Sequence, residues 1–258
     1  MQSIMVAIGQ TECRPSDLEG NLDRVEAMTI RASNQQAKFV LFPETVDFGW
    51  VNPEAHRLAG PLPGQISDRL AQLARDCRIW LGIGLCERNE IGLYDSAILI
   101  DPEGSIRLKH RKINTLRELM DPPYTQGSIE EIGIVDTEWG RVGVLICADT
   151  FCKDIRSRLA RLEPDWLYIP FGWAAPRDHW PEHGFHLIRT VQTTAFETGA
   201  AVVGPNLVGR IEHGPWKGQT FEGLSVAADH HGLMLAQGRW NQEELIMVTL
   251  PSSVRATM

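Results

Sequence analysis

The chain has 258 residues, of which 43% are hydrophobic and 22% charged, so it can build a packed core and lacks the composition of disorder. With 33 acidic against 25 basic residues, its net charge is −8, which argues against nucleic acid as a partner, because phosphate binding needs clustered Lys and Arg. No apolar run reaches the roughly 18 residues of a membrane span, and the first residues do not resemble a signal peptide. We therefore expect no membrane association and a cytoplasmic location.

Short apolar strands alternate with helical patterns, which is typical of a layered α/β protein. Strands are predicted over residues 3–9, 38–43, 79–87, 93–100, 105–110, 132–137, 141–147, 166–170, 200–204, 224–228 and 245–250. Helices are predicted from Pro15 to Ala32, with a capping box of Ser16 and Glu19, and over 66–77, 153–162 and 186–198. Several adjacent strands form hairpins, which predicts mixed sheets, and we expect one domain over residues 1–258.

The five cysteines are an odd number in a chain without an export signal, which argues against a disulfide framework. No two of them have the C-x-x-C spacing of a zinc ribbon or a thioredoxin-like site. The question is therefore which of them is a reactive thiol: Cys13, Cys77, Cys86, Cys147 or Cys152.

Three predicted strands end at residues that can do chemistry: Glu44, Lys112 and Cys147. Strand ends in α/β sheets converge on a shared crevice. A thiol attacks as thiolate and needs a base, and an ammonium group stabilises a developing oxyanion. Taken singly, Glu44 fits a solvated loop, Lys112 a basic strand end and Cys147 a buried small hydrophobe. Their joint occurrence favours the catalytic interpretation.

The motifs around these residues resemble the nitrilase superfamily of carbon–nitrogen hydrolases, in the order FPE (42–44), RK (111–112) and GVLICAD (143–149). The resemblance extends over most of the chain. It implies a four-layer α-β-β-α sandwich with two mixed β-sheets, no metal or organic cofactor, and pairing with a second subunit. It also implies Glu44 as general base, Lys112 as oxyanion stabiliser and Cys147 as nucleophile.

The chain departs from this family pattern at several positions. Many members carry a second glutamate that orients the lysine, and Glu118 is the nearest candidate, with Glu130 and Glu131 as later alternatives. Ala148 stands where many members have a bulkier residue. Cys152 replaces part of a Phe-Pro step, so it is a rival thiol that we expect to be core or inert.

The spacing of His179, His183 and His186 raises the question of a metal site. Pro181 and Gly184 should interrupt a helix that would place these histidines on one face, so we expect no metal and a pocket-shaping loop over residues 173–186. The predicted substrate-binding residues are Trp173, Tyr124 and Ala148. Two further aromatic residues fit a pocket wall, the core or a dimer contact: Trp50 and Trp216.

These observations predict a hydrolase that acts on a small amide or carbamoyl amide through a cysteine thioester. Nitrile hydrolysis is less favoured, because the chain is short and Ala148 is small. Acyl transfer to an amine remains open, since its chemistry is the same up to the thioester. A non-catalytic binding protein is a third alternative, although the chain retains all three residues.

Overall fold

The structure, a computed structural model, describes residues 3–15 and 17–251. The strands are β1 Ile4–Gln10, β2 Phe39–Leu41, β3 Trp80–Arg88, β4 Leu93–Ile100, β5 Ile106–Arg111, β6 Ile134–Thr137, β7 Gly140–Val144, β8 Trp166–Tyr168, β9 Ala174–Ala175, β10 Ala201–Gly204, β11 Val208–Arg210, β12 Thr220–Glu222, β13 Val226–Ala228, β14 Met234–Gln237 and β15 Glu244–Leu250. The helices are α1 Leu18–Asn34, α2 Ala55–Leu58, α3 Gln65–Cys77, α4 Lys153–Ala160 and α5 Glu182–Thr198.

The strands form two six-stranded sheets and one small sheet. The first sheet has the order β15-β1-β2-β3-β4-β5, and the second has the order β14-β13-β10-β8-β7-β6. Each contains parallel neighbours at its centre, β1-β2-β3 in the first and β7-β8-β10 in the second, flanked by antiparallel pairs. The small sheet is β11-β12-β9. The prediction of mixed sheets is confirmed.

The two large sheets are the inner layers of the sandwich. Along β1, Val6 and Ile8 belong to the cluster that contains the second sheet, whereas Ala7 belongs to the cluster beneath α1 and α3. This alternation follows from the two-residue period of a strand. Helices α1 and α3 contact the first sheet, and α5 contacts β10 and β13 of the second. The four-layer α-β-β-α arrangement is therefore confirmed.

Helix α1 begins at Leu18, and its N-cap is Asp17, whose carboxylate accepts a hydrogen bond of 3.0 Å from the Gly20 N–H. The predicted cap, Ser16, lies outside the described residues. The apolar face predicted for this helix is buried, including Leu22 and Val25. Among the described helices, none combines the length and the apolar composition of a membrane span.

Helix α5 differs from the prediction, because it begins at Glu182 and runs through Gly184. A Cβ at Gly184 would lie 2.5 Å from Cδ1 of Leu224, so the glycine allows the helix to pack closely against the segment that follows β12. Packing thus outweighs the low helix propensity of glycine. Three short elements had no counterpart in the sequence analysis: β9, β11 and α2.

Candidate active site

Glu44, Lys112 and Cys147 follow β2, β5 and β7, so they bring both large sheets to one site. Strand β7 ends at Val144, and Cys147 opens a short 3-10 turn with a left-handed φ of 39°. The segment after β8 accepts backbone hydrogen bonds from two of these residues. The Cys147 N–H donates to the Pro170 carbonyl at 3.0 Å, and the Glu44 N–H donates to the Phe171 carbonyl at 3.4 Å. The Cys147 N–H is thereby occupied and is not free to bind an oxyanion.

The Lys112 side chain is fully buried and lies between two fully buried carboxyl groups. Its ammonium group donates a short hydrogen bond to Oε1 of Glu44 and a second bond, of 3.1 Å, to Oδ2 of Asp95. Burial by itself lowers the pKa of Lys112, but the Asp95 and Glu44 carboxyl groups on either side of the ammonium group together outweigh burial and raise that pKa. Lys112 therefore stays a cation although its side chain is fully buried.

The thiol of Cys147 is only 5% exposed and is protonated at rest. Burial raises its pKa most, the Glu44 carboxylate raises it further, and Lys112 and the backbone N–H of Gly172 act in the opposite direction. Gly172 also leaves room for the base, since a Cβ there would lie 2.9 Å from Oε2 of Glu44. Nucleophilic attack by this thiol thus needs a base, and the Glu44 carboxylate lies beside it.

Hydrogen bonds to Asp149 connect the loop that follows Lys112 to the 3-10 turn that begins at Cys147. One of its carboxylate oxygens accepts from the N–H groups of Ile113 and Asn114 at 2.9 and 2.8 Å. The other lies 2.8 Å from Nε2 of His110 and accepts from the N–H of Ile146 at 3.1 Å. Burial acts to raise the pKa of Asp149, but the hydrogen bond to His110, the bond from the Asn114 N–H and the charges of His110 and Lys112 together outweigh burial and lower that pKa, so Asp149 is a carboxylate.

A cavity of about 170 Å³ opens on Cys147. Its wall carries no Asp, Glu, Lys or Arg side chain and is formed by Trp50, Leu116, Cys147, Phe151, Gly172, Trp173, Ala174, His183 and Trp216. The rings of Trp50 and Trp216 meet edge to face, with centroids 5.5 Å apart. Trp173 meets Phe151 in the same way at 5.6 Å. The cavity is therefore a compact aromatic cage.

The structure brings together the predicted Glu44, Lys112 and Cys147, and it places Trp173, Trp50 and Trp216 on the cavity wall. Other predicted residues lie elsewhere. The Tyr124 hydroxyl is buried 3.9 Å from Sγ of Cys86, and Ala148 is fully buried, so neither lines the cavity. The structure places both outside the cavity wall, because the path of the loops and not residue type decides which side chains face the cavity.

Glu118, the residue predicted to orient Lys112, is not among the carboxyl groups that pair with it. Glu118 is exposed in a 3-10 turn, and the later alternatives Glu130 and Glu131 are exposed in another. The group that contacts Lys112 is Asp95, which the sequence analysis missed. A signal was present, since Asp95 is the only charged residue in strand β4.

Residues 173–186 are not the continuous loop that we expected. They contain β9, a 3-10 turn that ends at His179, and the start of α5. His183 and His186 lie on α5 with ring centroids 6.1 Å apart, and Nδ1 of His183 is 2.8 Å from the buried carboxylate of Glu222. Within residues 3–15 and 17–251, no group of three or more metal-ligating side chains occurs. The rival thiol, Cys152, is half-buried and lies outside the cavity wall.

Comparison with known proteins agrees with this architecture. Residues 5–258 match the family model of carbon-nitrogen hydrolases, and the chain belongs to that family. It is 27% identical over 252 residues to a nitrilase of Pyrococcus abyssi, covering 93% of this chain and 88% of the relative. It is 28% identical over 214 residues to the nitrilase and fragile histidine triad fusion protein of Drosophila melanogaster, covering 79% of this chain and only 46% of the longer relative.

Among solved structures, a mutant of the amidase from Nesterenkonia sp. AN1 has the same fold, with a TM-score of 0.81. The two chains are 23% identical, and the match covers 96% of this chain and 90% of the amidase. The active-site cysteine of that amidase carries the acetamide moiety of fluoroacetamide. The chain described here is thus an enzyme of the carbon–nitrogen hydrolase family with the fold of an amidase.

Proposed function

We propose that this enzyme is an amidase that hydrolyses a small carboxamide with an uncharged acyl group, through a thioester on Cys147. The observation that carries the proposal is the buried Glu44–Lys112 pair beside a protonated thiol at the wall of the aromatic cavity. In this proposal Cys147 is the nucleophile, Glu44 the general base and Lys112 the group that stabilises the oxyanion.

In the acylation half-reaction, Glu44 takes the thiol proton as Sγ of Cys147 attacks the carbonyl carbon of the amide. The carbonyl oxygen becomes an oxyanion, and the buried Lys112 ammonium group stabilises its charge. The C–N bond then breaks, and the proton held on Glu44 passes to the leaving nitrogen. Ammonia or an amine departs, and the acyl group remains on Cys147 as a thioester.

In the deacylation half-reaction, Glu44 takes a proton from a water molecule that attacks the thioester carbon. A second oxyanion forms beside Lys112, and the C–S bond breaks. The sulfur recovers its proton from Glu44, and the carboxylic acid leaves. If an amine attacks in place of water, the product is a new amide, so the nucleophile that reaches the thioester decides between hydrolysis and acyl transfer.

The composition of the cavity wall favours a substrate whose acyl group is uncharged. A carboxylate or ammonium group on the acyl chain would leave water for a wall of mostly Trp, Phe and Leu side chains, whose one imidazole, His183, is already paired with Glu222. A neutral, compact acyl group loses no comparable hydration and gains contact with aromatic faces.

A matched pair of substrates tests this proposal. We expect kcat/KM for 4-methylpentanamide to exceed that for succinamate by about 100-fold or more, because the two acyl groups have similar shapes but only succinamate buries a charge. Ammonia release measures both rates, and 4-methylpentanenitrile serves as the control for nitrile hydrolysis. A higher kcat/KM for succinamate or for the nitrile would contradict the proposal, and a hydroxamate as the main product with added hydroxylamine would indicate acyl transfer.

We also propose that residues 1–258 form one domain, that the enzyme works in the cytoplasm, and that copies of it associate. The five cysteines are unpaired thiols, which suits a reducing compartment. Helix α5 exposes Phe185 and Phe196, at 57% and 71%, and a spacing of eleven residues places both on one face of the helix. Exposed apolar residues grouped on one face support self-association.

The self-association has a direct test. We expect sedimentation at micromolar concentrations to give at least twice the 28.9 kDa of one chain. The Phe196→Glu variant should shift the protein toward the monomer, because it places a charge in the apolar contact. The Glu197→Gln variant, one residue further along the helix, is the matched control. A monomeric wild-type protein would contradict this part of the proposal.

A further inference from the structure

We propose that Asp95 positions Lys112, and that it does so as a neutral carboxylic acid, so that Glu44 alone carries the negative charge opposite the ammonium group. The inference rests on the proposed function for its catalytic consequence, but the contacts and the charge count stand on the structure alone.

Asp95 forms hydrogen bonds with both the backbone N–H and the side-chain ammonium group of Lys112. Its backbone carbonyl accepts a hydrogen bond of 2.8 Å from the Lys112 N–H, and its Oδ2 accepts one of 3.1 Å from Nζ. The register of the first sheet places Asp95 opposite Cys86 of β3. Because β4 is paired on both sides, with β3 and β5, Asp95 fixes the start and the end of the lysine side chain on a rigid element.

The buried site contains more acid than base. Glu44, Asp95 and Lys112 are all 0% exposed, so two carboxyl groups share one ammonium group. His110 does not balance the excess, because it pairs with Asp149. Other titratable side chains that interact electrostatically with Asp95 are thiols and phenols: Cys147, Cys86, Tyr124 and Tyr168. Burial raises the pKa of each of them, so they are neutral at rest.

Two ionised carboxylates would therefore leave an uncompensated negative charge in the interior, and a retained proton avoids it. Burial raises the pKa of Asp95 most, the Glu44 carboxylate raises it further, and Lys112 opposes both. Oδ1 of Asp95 and Oε2 of Glu44 are both buried without a hydrogen-bond partner. Two ionised carboxylates can only accept hydrogen bonds, whereas a protonated Asp95 has an O–H that can donate one.

The protonation state matters for Lys112. A neutral Asp95 keeps a hydrogen-bond acceptor at 3.1 Å without adding a second full charge that would bind the ammonium group. The ammonium charge is then balanced by Glu44 in the resting enzyme and is available to an oxyanion when Glu44 takes a proton. Asp95 is therefore a positioning residue that acts through Lys112.

Two variants separate positioning from charge. Asp95→Leu removes the acceptor, and we expect it to lower kcat by about 100-fold with little change in KM, because Lys112 is misplaced for the oxyanion only. Asp95→Asn keeps the shape, the acceptor and the neutral charge, so it should recover most of the activity that Asp95→Leu loses. Its activity should also extend to higher pH, because the wild-type enzyme gains a buried negative charge when Asp95 loses its proton.

An infrared difference spectrum between the wild type and Asp95→Asn gives a readout that does not depend on activity or on the substrate. The wild type should show the C=O stretch of a protonated carboxyl group at neutral pH, and Asp95→Asn should lack it. Absence of that band, or an Asp95→Asn variant as impaired as Asp95→Leu, would overturn the neutral acid. Wild-type kcat in a folded Asp95→Leu variant would overturn positioning. If the wild type hydrolyses no amide, the proposed function fails, and the band still decides the state of Asp95.

Discussion

A Cys147→Ala variant is expected to fold like the wild type and to lose amide hydrolysis by about 10⁴-fold or more. The thiol is the only proposed group that forms a bond to the acyl carbon, so no neighbouring residue replaces it. The change removes a single sulfur atom from a wall residue and leaves the Glu44–Lys112 pair intact. Ammonia release measures the activity, and circular dichroism with a thermal unfolding curve measures the fold.

The control for this variant is Cys152→Ala. Cys152 lies five residues along the chain, is half-buried and stands outside the cavity wall, so its replacement should leave the rate near that of the wild type. A folded Cys147→Ala variant that releases ammonia at the wild-type rate would contradict the mechanism. Loss of activity in Cys152→Ala alone would transfer the role of nucleophile to the rival thiol.

A Lys112→Met variant is expected to lose both activity and stability. It leaves Glu44 and Asp95 buried without a cation, and removal of one partner from a buried ion pair costs about 3–5 kcal/mol of unfolding free energy. The loss should shrink as the pH falls. Without the cation, the folded protein holds a proton on Glu44 as well as on Asp95 at a pH where the unfolded chain has released both, so lower pH favours the folded state.

Urea unfolding at several pH values measures this effect, and Lys109→Met is the matched control. Lys109 lies on the same strand, its side chain is 31% exposed, and its partner Glu87 keeps the bonds from Arg111. We expect the control to change stability by less than about 1 kcal/mol. Wild-type stability in Lys112→Met would show that water reaches Glu44 and would contradict the buried site.

The sequence was sufficient to place the catalytic candidates, because all three follow strands and strand ends converge in layered α/β folds. The order of Glu44, Lys112 and Cys147 also carried the family resemblance. The mixed sheets followed from the hairpins, and the alternation along β1 reflects the strand period. These features depend on local pattern, which a sequence displays directly.

Asp95 and Glu118 show where local pattern stops being sufficient. Asp95 meets Lys112 through the pairing of β4 with β5 and the bend after β5, a long-range geometry that no spacing encodes. Glu118 lies closer in sequence, but Leu116 takes a left-handed φ of 49° and the next turn carries Glu118 to the surface. Proximity along the chain is therefore a poor guide to the partner of a buried lysine.

The cavity wall was only partly predictable for the same reason. Trp50 and Trp216 come from distant loops and meet edge to face, whereas Tyr124 packs away from the cavity next to Cys86. A sequence shows which aromatic residues are available. The paths of the loops decide which of them surround the substrate.

The central claim is that Cys147 performs the chemistry, and titration with iodoacetamide tests it most directly. Aliquots are assayed for amide hydrolysis while peptide mass spectrometry follows alkylation of each of the five cysteines. We predict that activity falls in step with one carboxamidomethyl group on Cys147, and that the amide substrate protects this residue. Activity that survives complete alkylation of Cys147, or that is lost while Cys147 remains free, would contradict the claim.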